Sequence, residues 1–261
     1  GTFVSHVYTD AYIVDVRVVA TDKDGAASAD QHVNFWVEKA SVQGGDLYVG
    51  GTTGNDQITV TKLTSGHVNV VTNGENLGNF FMGITGPDAG GMLVFAQSGD
   101  DAIQLVGKDD GQGNLIFPNA VALFGEEGND TIDARHATWY VFEHGGDGDD
   151  VLWGGRGRNT LIGGLGADVL HGGDGQDLLI GGATVFDDDL WGVISLASEW
   201  ARTDATFATR IGHLTGDIPD GYNGNRWLAP YTVIDDAAFD EVFAGGDADS
   251  APFPSFRGGR E

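Results

Sequence analysis

Period-two alternation opens the chain. Tyr12, Val14, Val16 and Val18 share one face of a strand, and Val33, Phe35 and Val37 share one face of another. With the polar run TDKDG (residues 21–25) between them, the pattern predicts a two-stranded antiparallel ribbon. Such a pair is too small to be stable alone. Residues 42–182 carry short β-branched runs (QITVTKL, HVNVV, MLVFA, AVALF, WYVFE) punctuated by Gly and Asp. After 183 the period changes. Leu190, Ile194 and Ala197 fall on one helical stripe with Val193, Leu196 and Trp200 beside it, and Gly216 and Pro219 end the pattern. Asp187, Asp188 and Asp189 stand where a helix N-terminus favours negative charge. A strand-like YTVI (231–234) follows. Three regions are therefore expected: a hairpin over 1–41, coils over 42–182, and a helix-plus-strand cap over 183–261.

Between Gly145 and Ile180 the pattern becomes strict: GGDGDDVLW, GGRGRNTLI, GGLGADVLH, GGDGQDLLI. Each unit opens on a Gly-rich turn, places an acid or amide sixth, and closes on three strand residues. The middle strand residue points opposite to its neighbours, so Leu152, Leu161, Leu170 and Leu179 all face one way, inward. Two nines make one coil. Turns 18 residues apart then stack at about 4.8 Å, which puts Asp150 under Asp168 and Asn159 under Asp177. The looser G-x-D-x-U units at 54–58, 99–103 and 128–132 extend the theme, U being aliphatic. Their Asp56, Asp101 and Asp130 lead into Asp150, Asp168 and Asp177. FDEVFAGGDADSAPF reads as a decayed return of the same theme.

Composition sharpens the picture. The 261 residues hold 39 acidic against 13 basic side chains, a net charge of -26. Such a surface repels nucleic acid and anionic membrane and attracts cations. At 41% hydrophobic residues the chain is no disordered acidic tail. Its 43 glycines, well above the usual share of roughly 7%, demand a backbone reason. Without cysteine there are neither disulfides nor thiolate metal sites. No apolar run approaches the ~20 residues of a membrane span. The chain begins with Gly and shows no signal peptide, so it is expected to be a segment of a longer protein. Stacked carboxylates repel unless a cation lies between them. Oxygen-only ligands on a flexible turn suit calcium better than magnesium or zinc.

The tandem G-G-x-G-x-D-x-U-x units resemble the RTX, or hemolysin-type, calcium-binding repeats. The resemblance implies an all-β parallel β-roll (β-solenoid) with Ca2+ between a turn and the turn two repeats on. It implies one ligand set of Gly146, Gly148 and Asp150 with Gly163, Leu165 and Asp168. A set on the opposite side would be Gly155, Gly157 and Asn159 with Gly172, Asp174 and Asp177. A third would be Glu126, Gly128 and Asp130 with Gly145, Asp147 and Asp150, across a 20-residue coil with two residues looped out. Asn159 removes one charge and should weaken its site. Phe186 stands at the acid position of the unit after Ile180, so the upper half of a site at Asp168 is missing. Asp56 and Asp101 read as turn-forming residues in coils too long for ligation.

Residues 1–41 resemble the last two strands of a PKD-type, immunoglobulin-like domain; a plain capping hairpin explains them equally. The C-terminal region resembles the tails that follow such repeats in large secreted bacterial proteins, where a helical excursion leaves the roll and rejoins it. The helix is expected to act as an amphipathic cap covering Trp153, Ile162 and Ile180. Trp191, Trp200 and Trp227 are expected on a packed helix face. Catalytic signatures are absent: no H-E-x-x-H, no G-x-S-x-G, no phosphate loop. His144 and His171 read as solvated turn residues. The expected function is a non-catalytic calcium-binding module of a secreted or cell-surface bacterial protein, its partners calcium ions and no nucleic acid. Alternatives are a polysaccharide-active solenoid enzyme, disfavoured because 42–140 holds only Lys62, Lys108 and Arg135 as strong bases, and an adhesin spacer or glycan binder with a cell-surface or polysaccharide partner.

Overall fold

The computed structural model describes residues 13–18, 31–36, 39–43, 45–63, 66–82, 91–109, 115–116 and 120–245. The 21–25 turn, Tyr12, Val37 and the chain beyond 245 lie outside the described residues. The first two strands, β1 (Ile13–Val18) and β2 (Gln31–Trp36), pair antiparallel, with Val14 opposite Phe35 and Val16 opposite Val33. The next, β3 (Ala40–Gln43), doubles back on β4 (Asp46–Gly50).

The run QITVTKL forms β5 (Gln57–Lys62), a coil strand parallel to a later one over residues 102–106, whereas HVNVV leaves the coil in an antiparallel meander of β5, β6 (His67–Thr72) and β7 (Glu75–Phe81). The β6–β7 turn has a local cause: Asn73 and Gly74 have φ of 53° and 78°, the left-handed pair that a two-residue type I′ hairpin needs. Coiling resumes with β8 (Met92–Phe95) and β9 (Ala102–Val106), while β10 (Lys108–Asp109) and β11 (Leu115–Ile116) form a side ribbon. Regular coils follow: β12 (Val121–Glu127) with β13 (Thr131–Asp133), β14 (Val141–Asp147) with β15 (Val151–Trp153), and β16 (Thr160–Leu165) with β17 (Val169–His171). After β18 (Leu178–Thr184) come the helices α1 (Leu190–Ala201) and α2 (Phe207–Thr215), then β19 (Val233–Ile234) and β20 (Glu241–Phe243).

Apart from the β1-β2 and β10-β11 pairs, the strands divide between two eight-stranded sheets, ordered β19-β18-β16-β14-β12-β8-β4-β3 and β20-β17-β15-β13-β9-β5-β6-β7. Both are mixed. The middle of each is parallel, because the chain alternates between sheets; antiparallel pairs close three of the edges, while β20 closes the fourth in parallel with β17. Inner faces meet in one core that includes Val49, Ile58, Val94, Ile103, Leu123, Ile132, Leu152, Leu161 and Leu170. Leu179 packs against that core, partly buried. The 20-residue coil keeps its offset in both sheets, so its two extra residues lie in the turn between β13 and β14.

The outer face of the first sheet is apolar as well: Phe124, Phe142, Ile162 and Ile180 form a second core with Val193, Leu196, Ala197, Trp200 and Leu214 of the helices. Trp153, expected under the helix, lies on the other sheet. There its ring stacks on His171 (5.8 Å between centroids), which stacks on Phe243 (4.6 Å). The helical stretch is also interrupted. Asp189 caps α1 by accepting from Gly192 N–H (3.0 Å), and Thr206 caps α2. The RTDAT linker between them is rich in residues that compete for backbone hydrogen bonds. Trp200 is fully buried, whereas Trp191 and Trp227 are exposed, so only one of the three expected packing tryptophans packs. Trp200 Nε1 donates to Gln176 O (2.9 Å) and Arg210 Nη2 to Gln176 Oε1 (2.6 Å), tying the helices to the 172–177 turn.

Candidate metal centre

Each coil turns from the first sheet to the second through a bend ending in an Asp, and parallel registry stacks these bends. Asp56 N–H donates to Asp101 Oδ1 (2.6 Å), Asp101 N–H to Asp130 Oδ1 (2.8 Å) and Asp130 N–H to Asp150 Oδ1 (2.7 Å). Asp150 N–H donates to Asp168 Oδ1 (2.9 Å), and Asp168 N–H to Asp240 Oδ1 (3.1 Å). The loops between successive acids span 45, 29, 20, 18 and 72 residues, yet the acids form one column. An outer column pins the same bends in the opposite sense. Asn129 N–H donates to Asp100 Oδ1 (3.0 Å), Asp149 N–H to Asn129 Oδ1 (2.8 Å) and Ala167 N–H to Asp149 Oδ1 (2.9 Å).

From Asp101 to Asp240 every Oδ1 is occupied by a backbone N–H, so the Oδ2 atoms carry the remaining charge. Those of Asp101, Asp130, Asp150 and Asp168 are buried with no hydrogen-bond partner among the described residues. Those of Asp130, Asp150 and Asp168 turn back toward the first Gly of their own bends; the Asp101 bend has Ala96 at that position. A Cβ on Gly145 would come under 3.0 Å from both Asp150 Oδ2 and Gly163 O. Gly163 stands likewise to Asp168 Oδ2 and Gly181 O, and Gly125 to Asp130 Oδ2 and Gly145 O. Carboxylate and carbonyl oxygens thus converge where only glycine leaves room. Gly146 and Gly148 serve differently: their φ of 124° and 135° is the conformation L side chains avoid. Their carbonyls lie against Gly164 and Gly166, and Gly148 N–H donates to Leu165 O (2.7 Å). One bend lower, Gly128 N–H donates to Asp147 O (2.7 Å), and Glu126, paired with Gly146, takes the left-handed φ of 78°.

The electrostatics follow from burial. Desolvation, reinforced by Asp130 and Asp168, pushes the Asp150 carboxyl up to about 8. Desolvation likewise lifts Asp101 and Asp168 to about 7 and Asp130 to about 6. Ionised and bare, these groups oppose the fold. The donors are all oxygen, from carboxylates and main-chain carbonyls, which suits a hard, irregularly coordinated cation such as Ca2+. Among the described residues no three His, Asp or Glu side chains converge. A site here is built chiefly from backbone.

Asp56 ends the column without orphaned oxygens. Its Oδ2 accepts from Thr52 N–H and Oγ1, and its Oδ1 from the Asn73 amide. The turn-forming reading suits Asp56. Asp101, whose Oδ2 is orphaned, joins the column of acids. Where Phe186 was expected to leave the position above Asp168 unfilled, Asp240 fills it, delivered by the chain returning after the helices. The signal lay in FDEVF, whose D-x-U-x ending repeats the closing half of the motif. Phe186 itself packs partly buried against the helix-covered core.

The opposite column is organised differently. Asn159 N–H donates to Asp177 Oδ1 (2.8 Å), as the stacking predicts. The Asn159 amide nitrogen, however, lies 3.2 Å from Gly155 O, 3.2 Å from Gly157 O, 2.9 Å from Gly172 O and 3.0 Å from Asp177 Oδ1. Its own Oδ1 accepts from Val141 N–H (3.2 Å). Asp174 N–H donates to Gly155 O (3.1 Å). The amide stands inside the oxygen cradle. The two turn histidines are not solvated as expected: His144 pairs with Asp187 (3.3 Å), and His171 is held between two rings.

The family model of the RTX calcium-binding nonapeptide repeat matches four copies, over residues 122–135 and 144–183. These stretches contain the bends of Asp130, Asp150, Asn159, Asp168 and Asp177; Asp56, Asp101 and Asp240 fall outside them. Repeats of this type bind Ca2+ and indicate a calcium-binding module typical of secreted bacterial proteins. No curated protein and no solved structure matches the chain.

Proposed function

We propose that this chain is a non-catalytic β-roll module of a large secreted or cell-surface bacterial protein, and that it folds when it meets calcium outside the cell. The observation that carries the reading is the row of fully buried, hydrogen-bond-orphaned Oδ2 atoms facing glycine carbonyls. One ion would be held by Asp150 and Asp168 with carbonyls of Gly146, Gly148, Gly163 and Leu165. A second would be held by Asp130 and Asp150 with carbonyls of Glu126, Gly128, Gly145 and Asp147. Bound calcium supplies the positive charge that lets these carboxylates stay ionised inside the stack. The chain contributes what makes this conditional: six acids of one column, forced together by strand registry, that repel when bare.

At low calcium the acidic bends hold the chain open. At millimolar calcium, sites of about 10⁻⁴–10⁻³ M affinity fill, and each ion, at a one- to tenfold excess over its Kd, adds about 0.4–1.4 kcal/mol. On this reading the antiparallel β1–β2 pair is the closing piece of a PKD-type domain leading into the roll. Among the described residues no helix is long and apolar enough to cross a membrane. The test is circular dichroism and tryptophan fluorescence during calcium titration. Strand signal should appear with calcium and leave with chelator; a full strand spectrum in excess chelator would overturn the reading.

A further inference from the structure

We infer that Asp168 and Asp240 form a calcium clasp that fastens the C-terminal segment to the roll across the helical excursion. The inference rests on the calcium reading above and extends it to a site outside the repeat-matched residues. The chain leaves the coil after β18, builds α1 and α2, and returns with β20 in register on β17, Val169 opposite Glu241 and Leu170 opposite Val242. Three strand residues hold that return, through bonds such as Glu241 N–H to Asp168 O (2.7 Å) and Gly172 N–H to Phe243 O (2.9 Å).

Against them stands charge. Asp235, Asp236, Asp240 and Glu241 arrive beside Asp168 and Asp149. Gly166 N–H neutralises one oxygen of Asp236 (2.5 Å), and Asp168 N–H takes Asp240 Oδ1. Asp168 is fully buried, and its Oδ2 has no hydrogen-bond partner among the described residues. That oxygen meets Gly181 O at the space beside Gly163, and Asp240 Oδ2 lies against the Gly181 backbone. This is the arrangement that Asp150 and Gly163 O form one coil below. Asp168 Oδ2 and Gly181 O therefore face one gap, and Asp240 Oδ2 lies one bend above it beside Gly181, on a segment 72 residues from Asp168. A divalent cation there converts the repulsion that would detach β20 into the contact that retains it. Calcium would then govern closure of the cap as well as winding of the coils.

The experiment compares the full chain with its Asp240→Asn variant, which keeps an acceptor for Asp168 N–H while removing the charge. Calcium stoichiometry is measured by equilibrium dialysis, and amide exchange is followed at Glu241 and at Asp150 with and without calcium. The clasp predicts one ion fewer per chain in the variant. It also predicts that calcium slows exchange at Glu241 about 100-fold in the parent chain but not in the variant, with Asp150 protected in both. Equal stoichiometry and equal Glu241 protection would overturn the clasp while leaving the calcium module intact. A parent chain that binds no calcium would overturn the module itself. Should the variant fail to fold, the parent chain decides: Glu241 protection independent of calcium, with Asp150 protection dependent on it, also defeats the clasp.

Discussion

The side-chain nitrogen of Asn159 lies 2.9 Å from the carbonyl oxygen of Gly172, in the bend stacked directly on its own. Asp150 stands in the same relation to Gly163, but presents a carboxylate oxygen to the carbonyl instead. The amide satisfies an oxygen cradle that the carboxylate leaves electrostatically open. One atom of difference thus separates a bend closed by the protein from a bend that calls for a cation.

Replacing Asn159 by Asp should therefore create a metal requirement. In chelator the Asn159→Asp chain should lose about 1–3 kcal/mol, the cost of a buried polar group left unsatisfied. In saturating calcium it should recover that loss and bind one more ion per chain. Chemical denaturation with and without calcium, paired with metal analysis, checks both. Unchanged stoichiometry would mean that this side of the stack cannot hold an ion whatever its side chain.

The glycines divide by what a methyl group would meet. Gly163→Ala drives a Cβ into Gly181 O and Asp168 Oδ2, and both neighbours are fixed by strand registry. The expected cost is about 3–5 kcal/mol, with no rescue by calcium, because the methyl group takes the space between the ligands. Gly54→Ala places its Cβ in open space and should change stability by less than about 0.5 kcal/mol. Melting curves of the two variants in calcium separate a site glycine from a turn glycine.

Much of this architecture was legible because the repeat is strict. Nine-residue spacing fixes the inward positions of Leu152, Leu161 and Leu170, and 18-residue spacing fixes the stacking of Asp150 with Asp168. What stayed hidden depended on contacts between distant segments. Asp240 reaches its column only after two helices have packed on Phe142 and Ile162; FDEVF marks the returning theme but not the bend that it joins. The β6–β7 hairpin turns on the φ of Asn73 and Gly74, a two-residue signal within a longer β-branched stretch. The place of the Asn159 amide could be read from Asn standing where Asp is the rule, but its four acceptors appear only in three dimensions.

Calcium and protons should compete. Asp101, Asp130, Asp150 and Asp168 have folded-state values of about 7, 6, 8 and 7, all above the usual unfolded value of about 3.9. A raised value means the fold favours the protonated acid. In the metal-free chain that contribution is complete below pH 4 and is lost as pH rises through 6–8. Without calcium, the fold should be firmer at pH 5 than at pH 8. The gain in melting temperature on adding calcium should be larger at pH 8, where fewer protons need be displaced. Thermal melts at the two pH values, each with calcium and with chelator, test the sign; a larger calcium effect at pH 5 would contradict it.

Glu143 gives the clearest opportunity to stabilise the molecule. It occupies an inward position of β14, in register with Leu123 on one side and Leu161 on the other. The side chain is fully buried, and both carboxyl oxygens lack hydrogen-bond partners among the described residues. Burial, with Asp133 and Asp177 nearby, holds its carboxyl well above the usual range, so the fold keeps it protonated at a cost that grows as pH rises. Leu is close to it in volume and continues the ladder. Glu143→Leu should raise stability by about 1–3 kcal/mol by removing an unsatisfied buried polar group, and the gain should be larger at pH 8 than at pH 5. Calcium stoichiometry should not change, since the Oδ2 column lies in the bends and not among these inward side chains. Denaturation midpoints at both pH values decide the matter. A destabilised variant that also binds fewer ions would show that Glu143 serves the acidic bends rather than merely occupying the core.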